Sequence, residues 1–182
     1  MPSHEESQNL AVIAEYFTEF WGKGNPDVVD TLCAHDFVMN YPMHGVRVGK
    51  QAVKDMLVEL KEVCIPLRQP PSPHCISDRL QAFPNLTFRP YQHPLIASGP
   101  YVIGRWIGGG THTGTAFSDL VVGALDEANT GKKMFFSGIT IFTLKDGKIV
   151  DETGEEGALT ALQQLGLVDG PNAGKAVRQL YD

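Results

Sequence analysis

The run Lys148-Ile149-Val150-Asp151-Glu152-Thr153-Gly154-Glu155 alternates as a half-buried strand does. Val150, Glu152 and Gly154 share one face; Asp151, Thr153 and Glu155 share the other. Val150 belongs inside, so Glu152 follows it inward unless a bulge intervenes. An apolar interior disfavours the charged carboxylate and raises its pKa, which suits a general acid or base near neutral pH. His112 lies in Gly108-Gly109-Gly110-Thr111-His112-Thr113-Gly114, on one face with Val102, Gly104, Trp106, Gly108 and Gly110. Its imidazole either relays protons at physiological pH or organises the bend through hydrogen bonds. Tyr41 offers a phenol able to polarise a carbonyl, and His44 is either a second acid/base group or an exposed loop histidine. The expected catalytic set is Glu152 with His112, assisted by Tyr41 or His44. Asn40, Trp106, Phe117, Asp119, Thr140 and Glu155 are the expected substrate contacts.

The elements that must position these groups change character along the chain. Leu10, Ile13, Ala14, Phe17, Phe20 and Trp21 form a helical apolar stripe. Asn25-Pro26 opens a short second helix with Val28, Val29 and Leu32. A brief strand, DFVMNYP, stops at Pro42, and Val53, Met56, Leu57, Leu60, Val63 and Cys64 mark a third helix. The proline-rich segment 65–74 excludes helix and reads as a surface loop or as a flap over a pocket. The stretches LTFRPYQHPLIA, YVIGRWIGGGTHTGTAF and KMFFSGITIFTLKDGKIVDETG are rich in aromatic and β-branched residues, as strands are. Asp146-Gly147 makes the hairpin turn between the last two. A final helix carries Leu159, Leu162 and Leu165 and ends at Gly166. Helices first and strands afterwards predict an α+β fold, its helices packed on one face of a curved, mostly antiparallel sheet. The glycine triplet marks a bend or a close approach within that sheet.

Composition excludes several function classes. The 182 residues suit one domain, and a net charge of −6 without basic clusters argues against nucleic acid and anionic membranes as partners. Cys33, Cys64 and Cys75 form no close pair and read as reduced core thiols. No run approaches the length of a membrane span, and the N-terminus lacks an apolar targeting core. A cytoplasmic location is the expectation. No phosphate-binding loop, dinucleotide fingerprint or serine nucleophile elbow occurs, and histidines and acids show no metal-ligand spacing. No cofactor and no metal are expected.

The segments EYFTEFWGKGNPDVVDTLCAHDFV, GRWIGGGTHTG, FSGITIFTLKDGKIVDE and LQQLGLV, in that order and spacing, resemble the SnoaL-like polyketide cyclases of the nuclear transport factor 2-like superfamily. The resemblance runs from Leu10 to Val168, apart from the proline-rich segment and the stretch from Val121 to Asn129, which look like insertions. It implies a cone-shaped sheet wrapped by helices, a deep pocket opening at one end, and commonly a homodimer. Asn40, Tyr41 and His44 fall where the family has its pocket rim. The expected organisation is a single domain over 1–182, with its core at 9–168 and a tail at 169–182.

One departure bears on chemistry. Family members often read Glu-His-Trp-Gly near the end of the last strand, with an aspartate three residues later. Here the run is Asp151-Glu152-Thr153-Gly154, and Gly157 stands at the later position. A catalytic carboxylate must therefore be Glu152, Glu155 or Glu156. The resemblance implies cofactor-free acid/base chemistry on a polyketide-like small molecule, with isomerisation or cyclisation by proton transfer next to a carbonyl as the leading expectation. The alternatives are a non-catalytic small-molecule binding module on the same fold, or a dehydratase or hydrolase.

Overall fold

The computed structural model describes residues 2–60, 82–170 and 176–177. The proline-rich segment 65–74, Cys64, Cys75 and most of the tail at 169–182 lie outside the described residues.

Helix α1 (His4–Tyr16) starts at Ser3, whose hydroxyl accepts from the Glu6 amide while Glu6 accepts from the Ser3 amide, a reciprocal cap. Ile13 and Tyr16 are buried along it. Ala14, expected in the same stripe, is exposed, about 100° round the helix from Ile13. Residues Phe17–Lys23 form a π-helical segment, burying Phe17, Phe20 and Trp21. Helix α2 (Val28–Leu32) leads directly into strand β1 (Cys33–Tyr41), which starts three residues earlier than its sequence suggests. Strand β2 (Gly45–Val48) returns beside β1, and α3 (Lys50–Leu60) buries Val53, Met56, Leu57 and Leu60.

The second half supplies most of the sheet. The run LTFRPYQHPLIA gives two short strands, β3 (Thr87–Pro90) and β4 (Ile96–Ser98), which both pair with β5 (Tyr101–Thr111). Strands β6 (Lys133–Lys145) and β7 (Lys148–Glu156) form the expected hairpin, with Asp146 and Gly147 at φ 51° and 72°. Helix α4 (Ala158–Gln164) buries Ala161 and Leu162, with Leu165 just beyond; Leu159, expected on that face, is exposed.

The seven strands form a curved, unclosed sheet whose main path runs β2-β1-β7-β6-β5-β3, with N-terminal helices packed on it. The β1–β7 pair is parallel and the other pairs are antiparallel. The parallel pair matters for the site, because it lays Met39 opposite Glu152 and brings Tyr41 to the end of the last strand. The glycine triplet serves close strand packing here. A Cβ at Gly109 would stand 1.9 Å from the Met134 carbonyl oxygen, and one at Gly108 2.1 Å from that of Thr87. Cys33 is a buried free thiol that burial, reinforced by the Glu152 charge, pushes up to about 12, so it stays protonated.

Candidate active site

Burial and hydrogen bonding centre on Glu152. Its side chain is wholly buried on the inner face of β7, although the expected path to that position needs correcting. The register shifts between Thr143 and Leu144, so a bulge does intervene. Ile149, not Val150, is the fully buried residue before it, and the extra residue restores Glu152 to the inner face.

Three donors converge on the Glu152 carboxylate. The Tyr16 hydroxyl reaches Oε2 at 2.7 Å, while the Trp21 indole and the Tyr41 hydroxyl reach Oε1 at 2.9 and 2.7 Å. Tyr16 and Trp21 are five residues apart. In an α-helix they would point about 140° away from each other. The π-helical turn, which closes at i+5, swings Trp21 round to the face of Tyr16 so that both meet one carboxylate. Burial pushes Glu152 up to about 7; the three donors favour the anion and offset part of that rise. Burial and the nearby Glu152 charge push the phenols of Tyr16 and Tyr41 well above the ordinary tyrosine range, so both remain protonated donors.

The network extends through Thr140, also fully buried. The Trp106 indole donates to Thr140 Oγ1 at 2.7 Å, and Thr140 Oγ1 lies 2.8 Å from the Tyr41 hydroxyl. An indole nitrogen only donates, so Thr140 accepts from Trp106 and has its own proton to give to Tyr41. With Glu152 ionised, the chain therefore runs from Trp106 through Thr140 and Tyr41 to Glu152. With Glu152 protonated on Oε1, that proton points at the Tyr41 oxygen, and the phenolic proton is freed. The Tyr41 ring rests on Gly154, where a Cβ would stand 2.2 Å from Tyr41 Cε1. A methyl group there would displace the phenol.

Tyr41 faces a narrow apolar cleft that opens to the surface. Phe17, Trp21, Phe88, Trp106 and Phe136 supply its aromatic walls, with Leu60, Leu86 and Met134 between them. Phe88 meets Trp21 and Trp106 edge-on, with centroids 5.4 and 5.2 Å apart. Besides Tyr41, its polar edge holds His44 and Glu156. Glu156 accepts the Met43 amide at 2.6 Å, and burial raises its pKa against the opposing pull of His44 and that amide. His44 Nδ1 lies 3.2 Å from the backbone carbonyl oxygen of Asp119 and 3.4 Å from its Oδ2. Arg47 donates to Asp119 Oδ1 at 2.6 Å.

The structure does not bring His112 to this site. Between the positions opposite Glu152 and opposite Thr111, strand β6 runs from Phe142 to Lys133, roughly 30 Å along the strand. His112 is wholly buried, with Nε2 2.5 Å from the Thr115 carbonyl oxygen and Nδ1 2.9 Å from the Thr130 hydroxyl. Both nitrogens are spent holding the excursion between β5 and β6, the organising alternative allowed by the sequence. Asn40 alternates with the buried Met39 and Tyr41 and does not line the cleft. Phe117 packs on Phe83 and pairs with Leu125 away from it. Glu155 is exposed on the outer face of β7. Tyr41, His44 and Trp106 line the cleft, whereas Thr140 and Asp119, expected as substrate contacts, stand behind it, Thr140 on Tyr41 and Trp106 and Asp119 on His44.

Sequence reasoning passed over Tyr16 and Trp21 as site residues and admitted Glu156 only as one of three possible carboxylates. Glu156 lies in phase with Glu152 and Gly154, so extending the alternation by one step finds it. Tyr16 is in phase with Ile13 and Phe20, and a phenol in an apolar stripe asks for a partner.

The sequence pattern of the SnoaL-like polyketide cyclases matches residues 74–165, half of the chain. The chain belongs to that family. No curated protein matches it in sequence. Among solved structures, a candidate SnoaL-like polyketide cyclase from Jannaschia sp. CCS1 is 18% identical with a TM-score of 0.66, over 94% of this chain and 99% of its own. A candidate polyketide cyclase from Bacillus cereus is 21% identical with a TM-score of 0.62, over 92% and 87%. An epoxide hydrolase of the LEH-like type from M. tuberculosis is 14% identical with a TM-score of 0.55, over 88% and 91%. At these identities the likeness shows a SnoaL-like fold and not a shared reaction. Among the described residues no group of three or more His, Cys, Asp or Glu side chains is placed to hold a metal ion. No described helix is long and apolar enough to cross a membrane.

Proposed function

We propose that this SnoaL-like chain is a cofactor-independent acid/base enzyme that isomerises or cyclises a flat, polyketide-derived polycyclic substrate by moving a proton next to a carbonyl. The observation that carries this reading is the sharing of one aromatic cleft by two proton-exchanging groups, Tyr41 and His44, each backed by a carboxylate. A flat ring system would lie against the wall that Phe88, Trp106 and Phe136 make by packing edge-on to one another, with its carbonyl oxygen at Tyr41. His44 takes the α-proton: the C–H bond breaks, an N–H bond forms, and the electron pair moves into the enolate. The phenolic proton of Tyr41 neutralises the developing oxyanion in a largely dry site. Protonated Glu152 supports this step by donating to the Tyr41 oxygen. Returning the proton to another carbon isomerises the substrate; attack of the enolate on a second carbonyl cyclises it.

The test is chromatography with mass detection after incubation with a bicyclic aryl methyl ketone bearing a β-keto ester side chain on the neighbouring ring carbon. A product isomeric with the substrate is expected. Loss of water would move the assignment to a dehydratase, gain of water to a hydrolase, and tight binding without turnover to a binding module. The apolar outer sheet face, with exposed Ile96, Tyr101, Ile139 and Ile141, supports a homodimer in the same reading.

A further inference from the structure

The excursion between β5 and β6, from His112 to Lys132, does more than connect two strands. Its base is fixed by the two His112 contacts and by the Gly131 amide donating to the His112 carbonyl. Its middle is fixed by mutual backbone bonds between Phe117 and Leu125 and by the Gly114 amide donating to the Ala82 carbonyl. These ties deliver one side chain, Asp119, to the polar edge of the cleft, where Arg47 of β2 holds Oδ1.

The other oxygen, Oδ2, is buried and accepts no hydrogen bond among the described residues. A buried acceptor left so is costly, and the pair with Arg47, which engages Oδ1 alone, does not account for it. It faces the His44 ring at 3.4 Å. The nearest acceptor to Nδ1 is the Asp119 carbonyl oxygen, at 3.2 Å, and a carbonyl can only accept. Nδ1 therefore carries its hydrogen in every protonation state. The exchangeable site is Nε2, which has no hydrogen bond among the described residues, on a ring that lines the cleft. When Nε2 takes a proton, the imidazolium gains an unpartnered carboxylate oxygen beside it. His44 and Arg47 together hold the Asp119 carboxyl below the usual carboxylate range, so it meets the ring as an anion. Glu156, the other carboxylate near His44, has Oε1 occupied by the Met43 amide.

We infer that Asp119 is the positioning residue of His44: it fixes the Nδ1–H tautomer and holds a buried carboxylate oxygen ready for the imidazolium. The inference deepens the proposed reaction and rests on it for its catalytic meaning, but its geometry is testable without turnover. The direct experiment labels the histidines of the full chain with nitrogen-15 and assigns the His44 ring tautomer by long-range proton–nitrogen correlation. The wild type is expected to show Nδ1–H with an unprotonated Nε2 at alkaline pH. Asp119→Asn keeps that backbone carbonyl and with it the tautomer, but is expected to shift the Nδ1 signal of the imidazolium, which loses its anion. It should also lower kcat for α-deuterium exchange on 1-tetralone by tenfold or more with KM nearly unchanged, and Asp119→Glu should recover part of it. An Nε2–H tautomer in the wild type overturns the inference, even if the variants fail to fold. So does an unchanged spectrum in a folded Asp119→Asn. If the wild type shows the expected tautomer but exchanges no ketone, the proposed reaction fails while the positioning stands.

Discussion

Replacing Tyr41 with phenylalanine is expected to slow α-proton exchange on a flat aryl ketone by about two orders of magnitude or more. The ring would still rest on Gly154 and fill the cleft edge, so shape is kept. What disappears is a hydroxyl that touches Glu152 from a residue lining the cleft. Glu152 would retain Tyr16 and Trp21 as donors, so the cost in stability should be about 1–2 kcal/mol, the range of one or two lost hydrogen bonds. Measured kcat in a folded Tyr41→Phe variant separates the two effects. A wild-type rate would remove Tyr41 from the chemistry.

The second large effect concerns pH. Burial lifts Glu152 from 4.5 in the unfolded chain to about 7 in the folded one. Below 4.5 both states hold the proton and the residue contributes no pH dependence. Between 4.5 and 7 the folded state keeps a proton that the unfolded state has released. Unfolding then binds fewer protons, so stability falls as pH rises, by roughly 3 kcal/mol over that window. Above it the loss is complete and constant. Glu156 shifts in the same direction and Asp119 in the opposite one, so the total curve mixes several groups. The difference between wild type and Glu152→Gln isolates the residue. Denaturant titrations at several pH values should show Gln gaining on the wild type by roughly 3 kcal/mol from the acid to the neutral side. A constant difference across that range would mean that Glu152 does not store a proton. The same variant should lose the alkaline limb of activity near 7, because a Gln amide donates to the Tyr41 oxygen at every pH.

The fold was largely legible in the sequence, and the site only in part. Periodicity located the helices, and Asp146-Gly147 fixed the hairpin that carries Glu152, because both signals are local. The parallel pairing of β1 with β7 is not local; it places Tyr41 beside Glu152 across more than a hundred residues. Two irregularities hid the rest. The bulge before Asp151 exchanges the roles of Ile149 and Val150, so Glu152 arrives inside by a different count from the one alternation suggests. The π-helical turn unites Tyr16 and Trp21, which α-helical spacing would hold apart. His112 misled for a different reason. A histidine among glycines resembles an exposed bend, yet its two nitrogens are satisfied by the very loop that the bend begins.

The most direct measurement is deuterium uptake at the α-carbon of 1-tetralone in heavy water near pH 7, followed by proton NMR with and without the protein. Catalysed exchange that saturates with ketone and collapses in both Tyr41→Phe and His44→Gln is the expected result. Saturable binding of the ketone with exchange no faster than in buffer alone would contradict a cleft built to move protons.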